Sequence, residues 1–370
     1  MILKDCLELI IDNRGRNPKY YDNEAYPVID NVMIKNNYHP NIKEATRFIN
    51  QDTHDNFLRG YLEPNIPIMT LVGGGIGNVS LSIDDKSVIV QNTIGFKTKA
   101  EILDSIYLYY WFLYKHDELI QFNRGSGQPS IRKTDIENMN IELKSINYQR
   151  KVSKILSEID EKIALNNEIN NNLYDISKQL LLKYLAENNN SEEINISELL
   201  NVFTGKKNAN ETTPTGKYKF FSCAPESLLS DTYLYDGAAI IVAGNGAYTG
   251  RTRFYDGKFE LYQRTYGLTL KEGLNKNNIY GLYVFMKAIF EPDKMGGTHG
   301  SAIPYIVLSD LTNYKLKYNK KEFNKFSNLV SYNIKIIQEN EKSNEQLEQL
   351  RDTLLPKLMN GEINLDNIEI

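Results

Sequence analysis

The sequence predicts an α+β protein with two tandem homologous units, each followed by a long α-helix, and the two helices packing as an antiparallel coiled coil about a pseudo-two-fold axis. Three observations predict it: five short phrases that occur twice in the same order, strand and turn patterns that fill each copy, and a long helical pattern that closes each copy. The copies lie about 174 residues apart, far beyond the roughly 20–50 residues of solenoid repeats. The pattern therefore indicates duplication of a whole domain.

The repeated phrases set the order of elements in each unit. An apolar helix-like phrase is followed by an apolar strand running into glycines, a Gln-x-Thr-x-Gly phrase, a Gly-Ser-x-x-Pro phrase and a helix end with Leu-Leu-x-Lys. They lie at residues 3–7 and 196–200, 68–73 and 239–244, 91–95 and 263–267, 125–129 and 300–304, and 180–183 and 354–357. Five matches in one order do not arise by chance.

Local patterns predict the elements between these phrases. Period-two alternation predicts a hairpin of 79–83 with 87–90, and a second of 252–255 with 259–262 across Asp256-Gly257-Lys258. Residues 105–113 and 280–286 are apolar nearly all round, which is typical of buried helices. The resulting division is residues 1–147 and 191–321 for the two units, 148–190 and 322–361 for the helices, and 362–370 for a tail.

The two long helices carry a three-four alternation that is typical of a coiled-coil seam. About 40 helical residues rise about 60 Å, which is hard to bury on one unit. Asparagines at a seam lower stability but fix the register. The alternative is two solvent-exposed helices that each pack on their own unit. The predicted seam residues are Ile159, Ile163, Asn166, Asn170, Leu173 and Leu180 in the first helix, and Ile337, Asn340, Asn344, Leu347 and Leu354 in the second.

Composition and motifs exclude several classes of function. The hydrophobic fraction is 41% and no apolar run approaches the roughly 18 residues of a membrane span, so no membrane partner is expected. Two cysteines are too few for a disulfide framework, which favours a location in the reducing cytoplasm. Residues 73–77 and 244–250 are glycine-rich, but strand-like alternation follows them, which favours hairpins over nucleotide loops. No histidine or cysteine has metal-ligand spacing, so we expect a chain without catalytic residues or metal.

The C-terminal helix resembles a known family most specifically, over residues 347–363, and residues 125–136 resemble that family's junction between a recognition domain and its helix. Over essentially its whole length the chain resembles the specificity (S) subunit of type I restriction–modification systems. The resemblance implies that each unit is a target-recognition domain reading one half of a bipartite double-stranded DNA target. It implies that the helices set the spacing of the halves and dock two methyltransferase (M) subunits.

The resemblance also assigns the chemistry to partners. The chain itself would be non-catalytic, with S-adenosylmethionine, ATP and Mg²⁺ held by the methyltransferase and restriction (R) subunits. Such an endonuclease complex would serve DNA methylation and host defence in a bacterial or archaeal cytoplasm. Two alternatives remain open from the residues alone: a duplicated scaffold that binds only proteins, and the recognition half of a split methyltransferase.

The net charge of −4 argues weakly against nucleic acid, but basic residues cluster locally in both units. Such side chains can contact phosphates, arginine can also read guanine, and Gln128 can read adenine. The candidate DNA contacts are Arg14, Arg16, Lys19, Arg124, Gln128, Arg132 and Lys133 in the first unit, and Lys206, Lys207, Arg251, Arg253 and Arg264 in the second.

Overall fold

A computed structural model describes residues 1–15, 17–125, 127–290 and 304–365. The chain divides into two compact units. Unit 1 comprises Met1–Leu165 with Ser343–Ile370, and unit 2 comprises Asn166–Lys342. Each unit therefore contains one globular part and a portion of both long helices.

Unit 1 is a four-stranded sheet backed by a buried helix. Its elements are β1 (Leu7–Ile11), β2 (Tyr26–Pro27), β3 (Phe48–Ile49), α1 (Gln51–Phe57), β4 (Pro67–Thr70), β5 (Val79–Leu81), β6 (Thr93–Thr98), α2 (Ser105–Tyr114), α3 (His116–Gln121), α4 (Lys133–Glu137) and the start of α5 (Ile146–Glu187). The sheet order is β1-β6-β4-β5, antiparallel throughout. Helix α2 is predominantly aromatic and its central residues are buried against the sheet, so it forms the middle of the core.

Unit 2 repeats this plan on a larger sheet. Its elements are β7 (Glu192–Asn195), β8 (Leu200–Thr204), β9 (Tyr218–Phe221), β10 (Leu228–Ser230), β11 (Tyr235–Ala243), β12 (Thr252–Leu261), β13 (Thr265–Leu270), α6 (Asn278–Ile289), α7 (Leu308–Thr312), β14 (Lys315–Tyr318) and the start of α8 (Lys320–Asn360). The sheet order is β10-β9-β12-β11-β13-β8. Strands β9 and β12 are parallel and the other neighbours are antiparallel.

The two units share one topology. The order β8-β13-β11-β12 in unit 2 matches β1-β6-β4-β5 in unit 1, and in each case the buried helix follows the last strand of that set in the chain, β6 in unit 1 and β13 in unit 2. Unit 2 adds β9 and β10 at one side of the sheet, whereas unit 1 has a longer connection between β1 and β4. The predicted α+β class with two homologous units, each followed by a long helix, is confirmed.

The repeated phrases recur because they fill sites where only certain residues fit. A Cβ atom on Gly267 would lie 2.5 Å from Phe203 Cζ, and one on Gly95 would lie 3.2 Å from Ile66 Cγ2. In the Gly-Ser-x-x-Pro phrase, a Cβ on Gly125 would lie 1.7 Å from the Gln128 carbonyl oxygen. These glycines are therefore required by close approach of a neighbouring chain segment. The second copy of this phrase lies outside the described residues up to position 303.

Both predicted hairpins are wrong, because each strand pairs with the strand that precedes it in the chain. Strand β5 pairs with β4 instead, and the segment 87–90 contributes one parallel bridge, from Val88 to Val28. In unit 2, Asp256-Gly257-Lys258 lies inside the single strand β12, which pairs with β11 over its length. Gly257 has a φ of +141° and faces Gly237, so it accommodates a local distortion and not a turn.

In each unit the portions of α5 and α8 run antiparallel and contact each other. In unit 1, Arg351 Nη1 donates to Asp160 Oδ1 at 2.8 Å, and Tyr148 Oη donates to the Leu358 carbonyl at 2.8 Å. In unit 2, Asn340 Nδ2 donates to Asn170 Oδ1 at 2.8 Å. Asn333 Nδ2 donates to Ser177 Oγ at 3.1 Å, about two turns along. Within each unit, residues of increasing number on α5 therefore contact residues of decreasing number on α8.

All the predicted seam residues lie on inward-facing positions of these helices. Ile159, Asn166, Ile337 and Asn344 are buried, and Ile163, Asn170, Leu173, Leu180, Asn340, Leu347 and Leu354 are half-buried. The Asn170–Asn340 hydrogen bond joins two of the predicted asparagines directly. A polar pair at this position is satisfied in one register only, which is how a seam asparagine fixes alignment.

Candidate nucleic-acid interface

The predicted DNA-contact residues of unit 1 gather at one edge of its sheet. Strands β1 and β4 end there and β6 begins there, because neighbouring strands are antiparallel. We call residues 12–20, 72–78, 91–92 and 123–133 the unit 1 edge. Its parts are joined by hydrogen bonds from Gly73 N to the Pro129 carbonyl at 2.9 Å and from Leu71 N to the Asn92 carbonyl at 2.7 Å. Arg16 lies outside the described residues.

Three of the predicted cations at this edge are paired with aspartates. Arg14 donates to both carboxylate oxygens of Asp12 at 2.8 Å, and Lys133 Nζ lies 3.9 Å from Asp12 Oδ2. The hydrogen bond from Arg14 holds the pKa of Asp12 below its usual value, although partial burial opposes it. Arg124 Nη2 lies 2.9 Å from Asp135 Oδ1. These pairs reduce the net positive field that the edge presents.

Exposed polar side chains complete the unit 1 edge. Lys19, Gln128 and Arg132 are exposed, and Lys19 Nζ lies 5.0 Å from the centre of the Tyr21 ring. The Gly73 turn is flanked by two amides, since a Cβ on Gly73 would lie 3.1 Å from Asn31 Nδ2 and 3.9 Å from Gln128 Nε2. An amide can donate and accept together, which matches the major-groove edge of adenine.

Sequence reasoning missed Arg47 and both repeated glutamines. Arg47 forms a bidentate pair with Asp30, lies 4.4 Å from the Tyr20 ring centre and donates to Gln91 Oε1 at 3.3 Å. No local pattern marks this arginine. Gln91 in turn donates to Asn17 Oδ1. The signal for the glutamine was present, because it opens the repeated Gln-x-Thr-x-Gly phrase.

Unit 2 builds the same edge from the corresponding segments. We call residues 205–208, 222–224, 244–253, 263–264 and 304–306 the unit 2 edge. Gly246 N donates to the Pro304 carbonyl at 3.0 Å and Gly244 N to the Arg264 carbonyl at 2.9 Å, as their counterparts do in unit 1. Gln263 Nε2 donates to Asn208 Oδ1 at 2.8 Å, the same amide contact that Gln91 makes. The glycine-rich segments are hairpin turns in both units.

The predicted lysines of the unit 2 edge differ in their surroundings. Lys206 is exposed. Lys207 Nζ instead donates to Thr232 Oγ1 at 2.6 Å and Ser230 Oγ at 3.1 Å, and lies 3.6 Å from Glu260 Oε2. The Glu260 side chain is 7% exposed, so Lys207 neutralises a buried carboxylate and is held inside the fold.

The three predicted arginines of unit 2 lie together at the edge. Arg251 Cζ is 4.2 Å from the Tyr248 ring centre, and Arg253 Cζ is 5.7 Å from that of Phe221. Arg253 Nη2 also donates to the Ala224 carbonyl. Arg264 is exposed. Cys223, which the sequence did not mark, places its Sγ 3.4 Å from Asn245 Oδ1 in the same group.

Comparison with known proteins identifies the domain. The chain matches the family described as "Type I restriction modification DNA specificity domain" twice, over residues 2–174 and 188–349. Together these matches cover most of the sequence. The chain belongs to this family. The family predicted from the sequence is confirmed, and the chain's general role is DNA recognition within a type I restriction–modification system, without a catalytic step of its own.

Individual relatives agree with this assignment. The sequence is 34% identical over 119 residues to the EcoDI type I restriction enzyme specificity subunit of Escherichia coli, a match of 32% of this chain but 25% of that protein. It is 23% identical over 337 residues to the MjaVIII specificity subunit of Methanocaldococcus jannaschii, covering 80% of this chain and 78% of that one. The crystal structure of an M. genitalium type I S subunit matches the fold with a TM-score of 0.61 at 17% identity, over 97% of this chain and 95% of that chain.

The helices of the specificity domains also present apolar side chains to solvent. In unit 2 five of the six exposed apolar residues lie one position before a buried or half-buried one, which places them beside the contact between the helices. Tyr332 is 70% exposed, the most of the set. The exposed apolar residues are Ile169, Ile176 and Leu182 on α5, and Leu329, Tyr332 and Ile336 on α8.

Neither a metal-ion cluster nor a membrane-spanning helix occurs in the parts of the chain that the structure describes. No three His, Cys, Asp or Glu side chains are grouped closely enough there to hold a metal ion. None of the helices in the described ranges is both long and apolar enough to cross a bilayer.

Proposed function

We propose that each specificity domain reads one half of a bipartite duplex target, with residues 1–147 forming one reader and residues 191–321 the other. One observation carries this proposal: the two units present the same sheet edge, built from the same hydrogen bonds, and both edges carry cations and amides. Side chains from the ends of strands can reach into a groove while loops beside them contact phosphates. Two readers in one chain suit a target in two parts.

The predicted DNA contacts divide by their surroundings. Four of them are exposed and suit phosphate contacts, because attraction to phosphate is long-range and requires little shape complementarity. These are Lys19, Arg132, Lys206 and Arg264. Gln128 and Arg251 sit beside the glycine turns, where they suit base edges. Arg14, Arg124 and Lys133 are paired with aspartates and would contact DNA only through donors that those pairs leave free, and Lys207 supports the fold.

The long helices, residues 148–190 and 322–361, would fix the spacing of the half-sites and dock two methyltransferase subunits. The exposed apolar residues of α5 and α8 in unit 2 supply a surface that a partner could cover. S-adenosylmethionine would be held by the methyltransferase subunits, and ATP and Mg²⁺ by restriction subunits where these join. Residues 362–370 form the tail, and the complex would act in a bacterial or archaeal cytoplasm.

DNA footprinting of the full chain with its methyltransferase partner tests this function. Two protected patches separated by an unprotected spacer are expected. A complex that protects no DNA would instead indicate a protein scaffold. Methyl transfer by the purified chain alone would indicate part of a methyltransferase.

The spacing role has its own test. One heptad added to both long helices adds about 10 Å, at most about 3 base pairs. We expect the half-sites to move apart while each half keeps its sequence. A change in the half-sequences themselves would contradict the role of the helices.

A further inference from the structure

Three arginines at or beside the unit 1 edge are neutralised by aspartates. Each guanidinium group directs its donors into a carboxylate, and the pairs are Arg14 with Asp12, Arg47 with Asp30, and Arg124 with Asp135. Arg132 is exposed at the same edge. The side chains that flank the glycine turn of this unit are the amides of Asn31 and Gln128.

The arginines of the unit 2 edge lack such partners. Within the described ranges, no carboxylate oxygen lies within 4.0 Å of Arg251, Arg253 or Arg264. Arg251 directly precedes β12 and Arg253 is the second residue of that strand, and the hydrogen bond from Ala243 N to the Arg251 carbonyl at 3.0 Å continues the pairing with β11 as far as Arg251. Because the two residues are two apart on extended backbone, their side chains lie on the same side of the sheet. Two guanidinium groups thus share one face without a carboxylate in ion-pair contact, and Glu226 acts on Arg253 only from a longer distance.

Arg251 is held in a form suited to reading a planar partner. Its guanidinium lies 4.2 Å from the centre of the Tyr248 ring, and its carbonyl accepts from Ala243 N at 3.0 Å, which fixes its backbone. A guanidinium stacked on an aromatic ring keeps its donors in one plane and loses little freedom on binding. Tyr248 is itself exposed, so the stack lies at the surface.

Arg253 supplies a fixed positive charge behind this stack. It donates to the Ala224 carbonyl and packs near Phe221. Burial, and then the like charge of Arg251, lower the pKa of Arg253 from its usual value. A partly desolvated pair of like charges favours a ligand that offers hydrogen-bond acceptors and disfavours one that offers donors.

We propose that Arg251 reads a guanine in the half-site bound by unit 2, donating to guanine O6 and N7 from the surface that Arg253 makes positive. This inference rests on the proposed function and adds the base that one reader selects. Guanine is the base that offers two acceptors and no donor in the major groove, whereas adenine and cytosine each offer an amino group. The half-site of unit 1, read with amides, then differs chemically from that of unit 2.

The test is selection of bound duplexes from a randomised pool by the full chain in complex with its methyltransferase. Wild type should enrich a bipartite sequence with guanine at a fixed position of one half. R251K keeps the charge but loses the planar fork, so we expect the preference for that guanine to fall about 10-fold, with little change at other positions. Tyr248→Leu removes the supporting ring and should weaken the same preference. Arg59→Lys, in unit 1, is the matched control and should leave the base preferences of the half-site bound by unit 2 unchanged.

Each other outcome overturns a stated claim. If wild type enriches no sequence, the proposed function itself fails. If wild type enriches a bipartite sequence and R251K keeps its guanine, Arg251 does not read that base. A uniform loss of affinity in Arg251→Ala, with the salt dependence reduced by about one phosphate contact and base preferences unchanged, would assign Arg251 to the DNA backbone and overturn the inference.

Discussion

The two units share a sheet order but join it to the long helices with different chemistry. In unit 1 the junction is polar: Asp160 accepts from Tyr110 Oη at 2.7 Å and from Arg351 Nη1 at 2.8 Å, and its side chain is 3% exposed. Burial, and then the Asp160 carboxylate, raise the pKa of Tyr110, which keeps it a neutral donor. Gln149 Oε1 accepts from Asp104 N at 2.9 Å, and Gln149 Nε2 donates to the Ile102 carbonyl at 3.0 Å.

In unit 2 the corresponding junction is aromatic and apolar. By the repeat offset of about 174 residues, Phe323 stands where unit 1 has Gln149, Ile334 where it has Asp160, and Ser177 where it has Arg351. Phe323 is fully buried, with its ring centre 5.5 Å from those of Tyr184 and Tyr318. One topology therefore tolerates either a charged or an apolar junction. The buried ion pair of unit 1 is not required by the fold, so we attribute to it the choice of helix register in that unit.

The largest effect is expected in the apolar junction. Phe323→Ala should lower the free energy of unfolding of unit 2 by about 3–5 kcal/mol, because it empties a buried aromatic site. Tyr332→Ala, on the same helix but exposed, is the matched control and should change it by less than about 0.5 kcal/mol. Chemical denaturation of the full chain measures both, and equal effects would contradict the assignment of Phe323 to the core.

The charged junction should respond differently to one change and to two. Asp160→Ala leaves Arg351 and Tyr110 without their buried partner, and should lower the free energy of unfolding of unit 1 by about 3 kcal/mol. Asp160→Ile combined with Arg351→Ser copies unit 2 and should be less destabilising than Asp160→Ala. A double-mutant cycle followed by denaturation makes the comparison. If the double variant loses as much free energy of unfolding as Asp160→Ile and Arg351→Ser lose together as single variants, the two residues are not coupled.

The corresponding glycines of the two sheets, Gly95 and Gly267, should differ in how well they tolerate substitution by alanine. Gly267→Ala places a methyl group 2.5 Å from the Phe203 ring and should destabilise unit 2 by about 1–3 kcal/mol. Gly95→Ala meets its nearest atom, Ile66 Cγ2, at 3.2 Å and should destabilise unit 1 by less. Thermal unfolding of the two variants tests the order, and a larger loss at Gly95 would contradict it.

The smallest effect is expected from the surface pair of unit 1 on acidification. Because Arg14 lowers the pKa of Asp12 in the folded chain, this pair contributes stability above the unfolded carboxyl pKa and loses it as pH falls through the folded pKa. Asp12→Asn should therefore remove a contribution of less than about 1 kcal/mol at neutral pH and none at the lowest pH. Unfolding midpoints measured across acid pH check this, and a difference that persists at low pH would exclude the ion pair as its cause.

The sequence was sufficient to predict the duplicated α+β plan because its repeated phrases mark sterically demanding positions. Gly95 and Gly267 occur at the same step of both sheets, and the glutamines four residues earlier make the same amide contact. The predicted hairpins failed because the turn of each hairpin is the preceding glycine-rich segment: Thr252 pairs with Val242 and not with the residues that follow the Asp-Gly turn signal. Local turn residues do not reveal a strand that passes through them.

The sequence was sufficient to locate most candidate DNA contacts, but not to distinguish the exposed cations from those that are paired with carboxylates. Most candidates lie at the two edges, because they follow strand ends or border glycine turns. Their ion pairs depend on distant residues: Lys133 lies near Asp12, more than 100 residues away, and Lys207 lies near Glu260, more than 50 residues away. Whether a cation faces DNA or a buried carboxylate is set by folding, which no local pattern encodes.

The central claim is that each unit reads its own half of a divided target. Its most direct test is to map the methylated sequences produced by the full complex with wild-type chain and with a chain carrying Lys206→Ala, Arg251→Ala and Arg264→Ala together. The predicted result is a bipartite sequence whose one half is lost or relaxed in the variant while the other half is retained. A continuous sequence in the wild type, or a variant that alters both halves together, would contradict the claim.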